Sequence, residues 1–103
     1  MDETEIRRAQ EFILRELIKK RKIGGAHTPL DNITKNLPDE FLHQRQAAKV
    51  IERAVKELVN SGMAIILQKR TGKGSDEHIS INPRAWKEIG AFLNLPPGQH
   101  EMV

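Results

Sequence analysis

Between Gln44 and Asn60 the chain concentrates side chains that bind polyanions and read the edges of bases. Arg45, Lys49, Arg53 and Lys56, with Gln44, Gln46 and Asn60, fall on one side of a 3.6-residue repeat, and only Glu52 and Glu57 oppose them. Arginine can hydrogen-bond guanine through two atoms, and glutamine can do the same with adenine. Lysine neutralises phosphate without exacting geometry. For an arbitrary helix such a face is only a solvated one. A second basic cluster in the next turn of the chain changes the balance: Lys69, Arg70, Thr71 and Lys73, with Gly72 and Gly74 allowing close backbone approach. A lysine-rich hairpin tip can equally serve solubility and edge protection.

Other chemistry is poorly supplied. The four histidines, His27, His43, His78 and His100, show no metal-ligand spacing, and there is no cysteine to help. His43 alone stands near the basic helix. Gly72-Lys73-Gly74-Ser75 lacks the spacing of a phosphate loop and precedes a strand, not a helix. Ser75, Asp76 and His78 are too close together in a hairpin tip for an oriented triad. The expectation is no enzyme, no metal and no cofactor. Trp86 belongs to an apolar stripe and is read as core.

Length and composition frame these residues. A chain of 103 residues with 38% hydrophobic and 30% charged residues fits one small globular domain. No apolar run approaches a membrane span, the acidic start Met1–Glu5 is not a secretory signal, and the lack of cysteine favours the cytoplasm. The net charge of +3 is unevenly spread: residues 43–73 carry seven cations against two acids, whereas 23–42 and 74–103 are each negative.

The surrounding elements follow from periodicity and punctuation. Residues 4–22 read as a helix, with Thr4 as its cap and Ile6, Ala9, Ile13 and Leu17 as its stripe; Leu14 and Ile18 beside that stripe suggest a second contact or a dimer seam. Thr28 is placed to cap a short helix over residues 29–35, after a short extended piece. A longer helix runs to Asn60, starting either at Asp39 or near His43, and Ser61-Gly62 ends it. Its apolar side holds Ala47, Val50, Ile51, Ala54, Val55, Leu58 and Val59. Residues 63–70 and 78–82 read as two strands joined by a long loop over 71–76. Asn82-Pro83 opens a last helix, and residues 96–103 read as a frayed tail.

Helix, short strand, short helix, turn, longer helix, hairpin, helix: over residues 4–93 this order resembles the winged helix-turn-helix superfamily, of the small bacterial and archaeal transcription-regulator type. The local likeness lies in Ala54 to Ile65, an apolar-patterned helix ending in Leu58-x-x-x-Gly62 and followed by a strand. The resemblance implies an α+β, mostly α fold: a three-helix core, a two-stranded wing hairpin with a short extra strand, and a C-terminal helix, all within residues 1–95. It implies a transcriptional regulator on double-stranded DNA. Gln44, Arg45, Gln46 and Lys49 would face base edges, Arg53 a phosphate, and Lys69, Arg70, Thr71 and Lys73 the backbone beside the wing. A homodimer through the first or last helix would set two reading helices on half-sites about one turn apart. The segment from Asn36 to His43 is longer than the family's usual turn. Two other readings share the fold: a protein-interaction module in a larger complex, and RNA binding, against which the scarcity of exposed aromatics argues.

Overall fold

The first helix is the centre of the core. In the computed structural model, which describes residues 3–71 and 74–95, α1 (Glu3–Lys19) contacts α2 (Leu30–Thr34), α4 (Ala47–Asn60), α5 (Trp86–Leu93) and strand β3 (Gly74–Ile81). Ile6, Ala9, Ile13 and Leu17 are buried, as their spacing predicts, and so is Leu14. Partners on several sides of α1 thus account for Leu14 within one monomer, while Ile18 is left half-buried and Phe12 is 36% exposed.

The fold is α+β and mostly helical, with one small antiparallel sheet. Its three strands lie in the order β1 (Thr28–Pro29), β3, β2 (Ala64–Thr71). Thr28 pairs with Ile79, and Ile66 pairs with Ile79 from the other side. Ile79 and Ile81 point into the core with Ala64. A short 3-10 turn, Pro83–Ala85, leads into α5, whose Trp86, Ile89 and Leu93 close the core. Among the described residues no helix is long and apolar enough to cross a membrane.

Helix ends show where local chemistry decides. At the end of α4, Gly62 adopts φ +83°, its N–H bonds the Val59 carbonyl, and the Met63 N–H bonds the Leu58 carbonyl. This is the paired-bond glycine stop expected from Ser61-Gly62. The same pattern ends α1 three residues earlier than the sequence suggests. Arg21 N–H bonds Ile18, Lys22 N–H bonds Leu17, and Arg21 takes the left-handed position at φ +56°. Arginine is a costly residue there, since its Cβ crowds the carbonyl. Arg21→Gly is therefore expected to stabilise the protein by about 1 kcal/mol, read as a higher urea midpoint. A lower midpoint would mean that the arginine side chain contributes more than the strain costs.

Thr4 lies inside α1 and so does not cap it, and three further expectations are corrected. Thr28 does not cap α2: it is buried in β1 opposite Ile79, and the position before α2 is Pro29, with no side-chain cap bond. Extended pairing to the sheet takes the place of the capping role. The connection between β2 and β3 is not a six-residue loop, because pairing continues through Arg70–Ser75 and Thr71–Gly74. The third correction concerns the longer helix and decides where the basic residues lie.

Candidate nucleic-acid interface

The segment from Asp39 to Asn60 is two helices, α3 (Asp39–Leu42) and α4, joined by a turn over residues 43–46. Neither expected start is right, and the phase of the buried residues shows why. Phe41 and Val50 are both buried. Nine residues apart on one continuous helix, they would point about 180° away from each other. The break lets Phe41 enter the core from α3 while Val50, Ala54 and Leu58 enter it from α4.

The break relocates three of the nominated residues. Gln44, Arg45 and Gln46 lie in the turn, not on the helix. Arg45 and Gln46 are exposed and Gln44 is half-buried. Gln46 is the residue before α4, makes no side-chain cap bond, and leaves a first turn without an acid. The positive end of the α4 dipole thus has no acid or side-chain cap from its own helix, with Arg45 and Lys49 beside it.

Lys49, Arg53 and Lys56 are exposed along α4. They are not equally available. The Arg53 Nε donates to Glu57 Oε2 at 2.6 Å. Glu57→Gln is expected to release that guanidinium and tighten binding of a polyanion by about two- to threefold, a small effect because such exposed pairs are weak. Unchanged affinity would mean that Arg53 contacts nothing. The arginines of α1 are engaged inside the molecule. Arg7 lies over the Phe92 ring at 4.0 Å, Arg8 pairs with Glu40 at 2.8 Å, and Arg15 donates to the Leu93 carbonyl at 3.0 Å.

Lys69, Arg70 and Thr71 form the last residues of β2. Where their side chains point lies outside the described residues, as does Lys73 altogether.

Two features escape a reading of the sequence. The first is a groove on the other flank of α4. Ile51, Val55 and Val59, assigned to the core by periodicity, are only half-buried and line it. Its acids, Asp31, Glu52 and Glu77, repel phosphate, so a nucleic acid would engage α4 from the Lys49 and Arg53 side. The second is a histidine pair. His27 Nδ1 and His78 Nδ1 lie 2.9 Å apart with rings nearly perpendicular, joining β3 to the residue before β1. One ring must donate and the other accept. The two are 51 positions apart, beyond any sequence spacing rule. Ser80, on the same strand face as His78, is buried with its hydroxyl unpartnered. Among the described residues no group of three or more His, Cys, Asp or Glu could hold a metal ion.

Comparison of the chain with protein-family models, curated proteins and solved structures returns no match.

Proposed function

We propose that this chain is a winged helix-turn-helix protein that binds double-stranded DNA, with the turn before α4 and the Lys49 side of α4 as its reading surface. The observation that carries the proposal is the N-terminus of α4. An uncapped helix end without an acid in its first turn is flanked by exposed Arg45, Gln46 and Lys49, and oriented N–H groups with adjacent cations suit a phosphate. A 14-residue helix is about 21 Å long and of a width that the major groove admits. The antiparallel hairpin that follows α4, ending in the basic residues Lys69 and Arg70, matches a wing in topology and charge.

In this reading Arg45 and Gln46 reach base edges from the helix start, Lys49 and Arg53 hold phosphates, and Lys69, Arg70, Thr71 and Lys73 serve the backbone beside the hairpin. Gln44, half-buried, contributes less. Regulation of transcription is the role such a module would serve, as a homodimer through the first or last helix. The test is selection from a randomised duplex pool, followed by titration of the selected duplex, a scrambled duplex and a single-stranded RNA. Enrichment of a motif and preference for its duplex support the reading; equal binding of all three removes sequence-specific DNA recognition. A second reading, as a protein-interaction module, is favoured by one specific feature, the apolar groove.

A further inference from the structure

The groove beside α4 has no part in DNA reading and lacks the chemistry for it. Its volume is about 920 Å³. Leu30 of α2, Leu42 at the end of α3, Ile51, Val55 and Val59 of α4, and Ile66 of β2 give it an apolar lining. Leu42 is 38% exposed, one of three large apolar side chains so exposed among the described residues. Three of the elements around it present a carboxylate: Asp31 from α2, Glu52 from α4 and Glu77 from β3. Lys35 and Lys56 share the rim. The ion pairs among the described residues are Arg8–Glu40 and Arg53–Glu57, so none of these five charges is paired with another described residue.

We propose that this groove binds an amphipathic helix of a partner protein, one with an apolar ridge and lysine or arginine on its flanks. Its length favours a helix. The lining runs along α4 from Ala48 to Asn60, about 18 Å or a little over three turns, which suits anchors at i, i+3 or i+4, i+7 and i+11. A compact ligand would leave most of so long and open a trough wet. An added strand is disfavoured because helix side chains and a sheet face form the walls, and neither offers the free backbone groups of a sheet edge. A second copy fits poorly in its turn. Two concave faces set together leave unfilled space and bring the same excess of carboxylates against itself. Three carboxylates from three different elements against two lysines favour a cationic occupant. The proposal does not depend on DNA binding.

The test uses the full chain and two labelled helical peptides of about 16 residues. The first has leucines at i, i+3, i+4, i+7 and i+11 with lysines on both flanks. Its twin has glutamate for every lysine. The lysine peptide is expected to bind at least about tenfold more tightly than the twin, and to shift the methyl resonances of Ile51, Val55, Val59 and Leu30. Val55→Arg should abolish binding. The double substitution Glu52→Lys with Glu77→Lys alters only exposed positions and should reverse the preference between the peptides. Equal binding of both peptides, methyl shifts elsewhere, or no binding would overturn the proposal. So would self-association of the protein lost in Val55→Arg, which gives the groove to a second copy, or duplex DNA shifting the same methyls, which gives it to nucleic acid.

Discussion

Replacing Phe41 by alanine is expected to lower the unfolding free energy by about 3–5 kcal/mol. The ring is 2% exposed and stands edge-on to Phe12, with centroids 5.7 Å apart at 75°. The Arg8 guanidinium covers it at 5.2 Å while pairing with Glu40 on the same short helix. A four-residue helix such as α3 has no stability of its own. Phe41 is therefore what holds α3 to α1, and through α3 it sets where the turn and the start of α4 lie. Against a total stability of about 5–15 kcal/mol the loss is severe. Urea denaturation measures it directly. A change under about 1 kcal/mol would mean that the ring does not fill the core between α1 and α4. Leu42→Ala, next in sequence but exposed, should cost under about 1 kcal/mol.

The second large effect concerns binding. Arg45→Ala is expected to weaken a selected duplex by about 1–3 kcal/mol and a scrambled duplex by much less, because a bidentate base contact exists only on the right sequence. Lys49→Ala should weaken both alike and reduce the slope of log affinity against log salt by about 1. The two substitutions touch exposed side chains, so neither should move the unfolding midpoint. Equal loss on both duplexes for Arg45→Ala would make it a phosphate contact. No loss for either variant would remove the start of α4 from the interface.

Much of this arrangement is legible in the residues. Gly62 marks the end of α4 because a left-handed position needs it. Asn82 accepts from the Arg84 N–H as a cap before Pro83 should, and it also donates to the Gly62 carbonyl, tying the exit of β3 to the end of α4. The break over residues 43–46 is harder to see, since no glycine or proline stands there. Its cue is phase: Phe41 and Val50 cannot share one helical face. Periodicity names the apolar side of α4, but not how much of it neighbouring elements cover. Val50, Ala54 and Leu58 are buried, while Ile51, Val55 and Val59, one position further round, are left to the groove. The meeting of His27 and His78 depends on β1 pairing with β3, and thus on tertiary structure alone.

The most direct measurement of DNA binding is the affinity for duplex DNA across a series of salt concentrations. If each copy neutralises four to six phosphates through the α4 start and the hairpin, log affinity falls with log salt at a slope of roughly −4 to −5 per copy. A slope near zero, with affinity no better for duplex DNA than for an uncharged control, would contradict it.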